Sequence, residues 1–330
     1  MYTLRSVAFP TDDMDQPIPR PAFKGLDAAW ARLLSAEAVG VWREHPRFLE
    51  AAELAVRGAL KLHDTSALNT PHLKDGGRFF AGLLALYLHA TGGLTLARLR
   101  DLCARTGITS RGRVLAVLSG LRMIGFIEPA PRKGDARVQL YRPTARMVGA
   151  FRGRISVELQ GCALLSEPAA RLLARFEEDA VFSAVMARLG DLLTTPALFN
   201  NAPASPIAIF SDRNAGTIIL YALLAGGEPG DRFPPRGPVR MSVAGLAGRF
   251  KVSRTHVLRL LRDAESQGLL RRDSEGVTGW LEPALQREAE LLFQLVFAIL
   301  DGLAKEVLRD LQCKTGPHHA GAASGACTPA

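Results

Sequence analysis

The feature that most constrains this chain is that it repeats itself. Cys103 to Glu128, CARTGITSRGRVLAVLSGLRMIGFIE, aligns without a gap with Leu246 to Arg271, LAGRFKVSRTHVLRLLRDAESQGLLR, at an offset of 143. Identities fall at Ala104/Ala247, Ser110/Ser253, Arg111/Arg254, Val114/Val257, Leu115/Leu258, Leu118/Leu261 and Gly125/Gly268. Ala81 to Gly93 aligns in turn with Ala215 to Gly227 at an offset of 134, sharing a Leu-Tyr step and a terminal Gly-Gly pair. The nine extra residues fall in the second copy, in EPGDRFPPRGP, whose proline and glycine content predicts an exposed loop. Pro143 and Pro283 then match at an offset of 140 and are expected at the first turn of a following helix, where a missing N–H costs nothing. One structural unit is therefore present twice, at about 81–143 and about 215–283.

Within each unit the apolar spacing predicts a helix ending at Gly-Gly, where glycine accepts the left-handed cap. A short helix follows, marked by Leu96, Leu99 and Leu102 or by Val243, Leu246 and Ala247. Ser110 and Ser253 are placed to cap a longer helix. Val114, Leu118 and Leu121, and likewise Val257, Leu261 and Ala264, recur at spacings of four and three, which buries one face. The other face presents Arg111, Arg113 and Arg122, or Arg254, Thr255, His256, Arg259 and Arg262. After Gly125 and Gly268, two short strands are expected per unit, turning around Arg132-Lys133-Gly134-Asp135 in the first copy and within LLRRDSEGVTGWL in the second.

Charge follows the repeat. Leu94–Arg142 holds ten Lys/Arg against three Asp/Glu and Val239–Glu282 eight against five, whereas the remainder holds 23 against 24. The whole net charge of +9 thus resides in the two units, the distribution expected of surfaces that meet a polyanion.

Helix, short helix, turn, capped basic helix and basic hairpin together resemble the winged helix-turn-helix modules of bacterial regulators. VSRTHVLRLLRDAESQGLLRR is similar to the recognition region of GntR-type repressors, and the long flanking helices are similar to those of the MarR family. The resemblance covers about 63 and 69 residues. It implies a mainly α fold with small β-hairpin wings, two winged-helix modules flanked by long helices, and an intrachain pseudo-dimer. It also implies a sequence-specific regulator of transcription that binds double-stranded DNA. Arg111, Arg113, Arg254, Thr255 and His256 would read bases in the major groove, with Arg122, Arg259 and Arg262 on the same face. Ser110 and Ser253 would aim backbone amides at a phosphate. Arg132, Lys133, Arg137, Arg271 and Arg272 would hold phosphates or the minor groove, contacts that position rather than specify. Leu115 and Leu258 depart from the GntR pattern, which has a polar or basic residue there. They either pack against a neighbouring helix or meet thymine methyl groups. Two different reading helices imply a site with unlike half-sites.

The rest divides into a tail at 1–21, a first half at 22–199, a second half at 200–312 and a tail at 313–330, with NNAPASP at 200–206 as linker. Helical patterning is expected around Trp30, Val41 and Trp42, from Phe48 to Leu60, and from Pro168 to Leu193. The stripe Leu285, Ala289, Leu292, Val296, Leu300, Leu303, Val307, Leu311 predicts a long packing or assembly helix, which offers a homodimer contact. A pocket around Trp30, Trp42 or Phe293 could accept a small-molecule effector, although ordinary core is the commoner use of such aromatics. The four cysteines lack C-x-x-C spacing, and Cys313, His318, His319 and Cys327 lie in an aperiodic tail, so no metal or other cofactor is expected. The first residues lack the basic start and apolar stretch of a secretory signal, which suggests a cytoplasmic protein without a membrane partner. No P-loop, G-x-S-x-G or H-E-x-x-H motif suggests an enzyme. The alternatives from these residues are a replication initiator with tandem winged helices and a protein-interaction scaffold.

Overall fold

The computed structural model describes residues 28–65, 76–107, 111–131, 138–195, 205–228 and 230–315. These residues are mainly helical, with two small antiparallel sheets. Three helices, α1 (Ala28–Leu33), α2 (Ala36–Glu44) and α3 (Phe48–Thr65), precede the first unit. That unit consists of α4 (Gly76–Ala90), α5 (Leu96–Thr106), α6 (Arg111–Met123), β1 (Ile127–Pro129) and β2 (Tyr141–Pro143). Then come α7 (Ala145–Ala163), α8 (Glu167–Ala174), α9 (Asp179–Leu193) and the single turn α10 (Ala208–Ser211). The second unit runs through α11 (Gly216–Leu224), β3 (Val239–Arg240), α12 (Val243–Phe250), α13 (Arg254–Ser266), β4 (Leu270–Arg272) and β5 (Thr278–Leu281) into the 33-residue α14 (Pro283–Thr315).

Local chemistry explains the boundaries. Thr95 caps α5 by accepting from the Arg98 amide at 3.1 Å, Ser242 caps α12 through the Gly245 amide at 3.2 Å, and Ser253 caps α13 through the His256 amide at 3.1 Å. Gly125 and Gly268 take φ of +71° and +68°, the left-handed geometry that lets the chain leave each long helix at once for a strand. β1 pairs with β2 in the register Ile127↔Pro143, and Leu94 adds a bridge to Tyr141. In the second sheet the order is β3-β5-β4, with Val239↔Gly279 and Leu270↔Leu281. Both sheets thus take a third contribution from the segment after the Gly-Gly pair.

Three sequence expectations change in detail. The insertion around EPGDRFPPRGP is not simply exposed, because Phe233, Pro234 and Pro235 are buried. The Asp231 carboxylate closes this loop on the Gly237 amide at 3.0 Å, and Gln286 of α14 donates to the Pro235 carbonyl at 3.3 Å. Pro283 does open a helix, but Pro143 ends β2 and leaves Thr144 to cap α7. Val41 is 60% exposed and so takes no part in the core.

The packing extends the repeat beyond its sequence signal. α4 of the first unit packs on α9, which precedes the second unit, and α11 of the second packs on α3, which precedes the first. In the same reciprocal way α8 packs on α7 and α2 on α14. Helices α2, α3, α4 and α7 therefore correspond to α8, α9, α11 and α14, although no repeat is visible between α2–α3 and α8–α9 in the sequence. The matched tyrosines report the same exchange. Tyr87 of α4 donates to Asp191 of α9 at 3.0 Å, while Tyr221 of α11 lies against Arg154 of α7, itself 2.6 Å from Glu158. Burial, with the nearby Glu158 charge, pushes the Tyr221 hydroxyl up to about 12, so it stays protonated. Burial opposes charge on Arg154, but Glu158 and Tyr221 keep it protonated.

One apolar cluster runs through both halves. Its centre is aromatic: Phe297 of α14 meets Phe48 edge-on at 6.1 Å and lies 6.4 Å from Trp42, and Phe293 lies 5.9 Å from Tyr221. The face of α14 turned inward is centred on Phe293 and Phe297, and no residue from 288 to 304 is exposed. The helix is thus used to join the two halves of this chain.

Candidate nucleic-acid interface

Helices α6 and α13 occupy matching places between a short capped helix and a hairpin. Val114, Leu118 and Leu121 are buried on α6, as are Val257, Leu261 and Ala264 on α13, so each helix shows solvent its opposite face. On α13 that face carries Arg254, Thr255, Arg259 and Arg262, all exposed. Arg254 and Arg259 meet no carboxylate among the described residues. Arg113 and Arg122 are exposed on α6; Arg113 has no ion-pair partner among the described residues, and Arg122 lies 5.8 Å above the Tyr141 ring. Arg111 is the first residue of α6, and its side chain lies outside the described residues, as do Ser110, Arg132, Lys133 and Arg137.

Three of the candidate residues make contacts within the fold, and two of them, His256 and Arg272, are partly buried. The ring Nε2 of His256 lies 2.8 Å from the Asn214 carbonyl, which turns the imidazole back towards the segment before α11. Arg272 pairs with Glu265 at 2.8 Å and its side chain is only 12% exposed. Arg271 stacks on Trp280, its cross-strand partner, at 4.1 Å, with Glu282 at 3.6 Å. Sequence alone could not show these contacts, because the partners lie on other elements. Arg122 and Glu265 stand at equivalent positions, and each ties the end of its helix to the adjacent hairpin, one over Tyr141 and the other through Arg272.

The acidic residues of α13 are neutralised from outside the exposed face. Asp263 pairs with Arg213 and Glu265 with Arg272, whose hydrogen bond holds the Glu265 carboxyl below the usual carboxylate range. The surface of α13 is therefore cationic without internal cancellation.

Leu115, one of the two departures noted above, is 57% exposed rather than packed on a neighbour, and Leu258 is half-buried. The large aromatics offered for an effector pocket are core. A cleft of about 660 Å³ lies elsewhere, where α4 and α5 meet the end of α9, lined by Tyr87, Arg98, Asp101, Arg105 and Thr194. The matching seam at the end of α3 is filled by His63 against Phe250 at 5.2 Å and by Asp64 against Arg249 at 3.4 Å.

No family model, curated protein or solved structure matches this chain. The reading of the site therefore rests on its own geometry. Among the described residues no group of three or more His, Cys, Asp or Glu could hold a metal ion, and no helix is long and apolar enough to cross a membrane.

Proposed function

We propose that the chain is a sequence-specific double-stranded DNA-binding regulator of transcription that uses two diverged winged-helix modules held as a pseudo-dimer within one polypeptide. The observation that carries this reading is the repeated presentation of one device. In both halves a serine- or threonine-capped helix leads to a longer helix whose outward face carries arginines and whose inward face is core, and a hairpin is tied to that longer helix's end. A helix of this kind fits the major groove of B-DNA, where each base pair shows a distinct donor and acceptor pattern. Arg254 and Arg259 supply the base-reading donors, and the hairpins lie where wings hold the backbone. The joined core fixes the spacing of the two reading helices without a second subunit.

The test begins with selection of bound duplexes from a random pool, followed by titration of the selected site. Replacing Arg254 and Arg259 together with alanine is expected to weaken binding at least roughly 30-fold, since each bidentate contact is worth about 1–3 kcal/mol. Both side chains are exposed, so the variant keeps its circular dichroism spectrum and melting temperature. Affinity should also fall steeply with salt as phosphates release counterions. Unchanged affinity in the double variant refutes the reading.

A further inference from the structure

Superposing the repeat on the two exposed helix faces shows that the modules do not present the same chemistry. Where α13 carries Arg259 and Arg262, α6 carries Ala116 and Ser119, and all four positions are exposed. Where α13 has half-buried Leu258, α6 has Leu115 at 57% exposure, and Met123 at the end of the same face is 72% exposed. The centre of the α6 face is thus apolar and small, with cationic Arg113 and Arg122 at its rim. The face of α13 carries exposed Arg254, Arg259 and Arg262 along its length.

We infer that the two modules read different base chemistry: α13 reads guanines through Arg254, Arg259 and Arg262, and α6 reads thymine methyl groups through Leu115 and Ala116. This rests on the DNA-binding reading above and adds the identity of the half-sites. Guanine offers O6 and N7 as paired acceptors that suit a guanidinium, whereas thymine alone among the DNA bases projects a methyl into the major groove. An arginine-free helix centre cannot satisfy the guanine acceptors and would leave them desolvated, so G·C pairs opposite Leu115 are disfavoured. An apolar side chain against a methyl buries hydrocarbon on both sides. The rim arginines of α6 hold phosphates and thereby place Leu115 over the base edges. A protein partner would be served by a broader apolar surface. Here the apolar centre is as narrow as one helix face and is flanked by cations, which suits a groove walled by phosphates.

The experiment uses the full chain and the duplex pool selected above. The expected consensus has one half with conserved guanines and the other rich in thymine. Replacing thymine by uracil in the T-rich half removes only the methyl groups. It should weaken wild-type binding about fourfold per contacted methyl and weaken Leu115→Ala less, because only Ala116 is left to meet a methyl. Replacing guanine by 7-deazaguanine in the other half should weaken the wild type more than Arg259→Ala, which keeps only Arg254 and Arg262 to read guanine. Leu115 is exposed, so its truncation is expected to leave the melting temperature unchanged, which is checked in parallel. A palindromic consensus, or equal uracil sensitivity in wild type and Leu115→Ala, overturns this inference while leaving DNA binding intact. A consensus confined to the guanine half, with Leu115→Ala silent, also overturns it and turns the α6 face over to a protein partner. Recovery of no preferred duplex at all defeats the underlying DNA-binding reading instead.

Discussion

Two glycines on α7 make the packing of the halves measurable. Gly161 sits where α3, α7 and α14 converge. A Cβ added there would stand 2.6 Å from the Ala51 carbonyl oxygen and 3.3 Å from both the Ala55 Cβ and the Phe297 Cζ. Gly149 is exposed on the same helix, and a Cβ there meets nothing within 4 Å. Alanine in place of glycine stabilises a helix by up to about 1 kcal/mol, so Gly149→Ala should gain about 0.5–1 kcal/mol. At Gly161 the same gain is opposed by overpacking, which costs about 1–3 kcal/mol. The upper part of that range applies, because the obstructing atom is a helix carbonyl that cannot rotate away as a side chain would. The net effect is a loss of about 1–2 kcal/mol, and the two variants should differ by about 2–3 kcal/mol. In a chain of this size each kcal/mol moves the thermal midpoint by about 2 °C, so differential scanning calorimetry should separate them by about 4–6 °C. If Gly161→Ala melts at or above Gly149→Ala, the three helices do not approach as described and the joined-core account fails.

The Arg272–Glu265 pair makes a pH prediction. Its hydrogen bond lowers the Glu265 carboxyl in the folded state, so the stabilisation is present at neutral pH and is lost as pH falls through that lowered value. Glu265→Gln should therefore show a flatter loss of stability than wild type between about pH 5 and pH 3; parallel curves would show that the pair contributes nothing. Burial pushes the Cys103 thiol up to about 11 and raises that of Cys162 further, whereas Cys313 is exposed. Iodoacetamide at pH 8 should label Cys313 well before the other two in peptide mass mapping, and equal labelling of Cys103 would contradict the packing of α5.

Much of the local structure was legible because it depends on neighbours in sequence. The Ser253 cap, the glycine exits and the spacing of Val257, Leu261 and Ala264 all act within one or two turns, so reading the repeat located both helix pairs and both hairpins. The third strand β3 was missed because two residues, Val239 and Arg240, carry no periodic pattern of their own. The buried Phe233–Pro235 segment was missed because proline and glycine signal a turn without saying what the turn rests on.

What the sequence alone determined is therefore that one unit occurs twice, with arginines on the outward face of its longer helix. The tertiary structure decided which side chains of that face remain available. His256 on that helix and Arg272 on the strand after it look like Arg254 and Arg259 in a sequence, yet they are held by Asn214 and Glu265, partners brought close only by folding. It also decided that the halves are exchanged across each other, α4 on α9 and α11 on α3, because helix packing depends on the shape and burial of a face and tolerates changes of residue. That tolerance erased the sequence signal between α2–α3 and α8–α9 while the packing kept it.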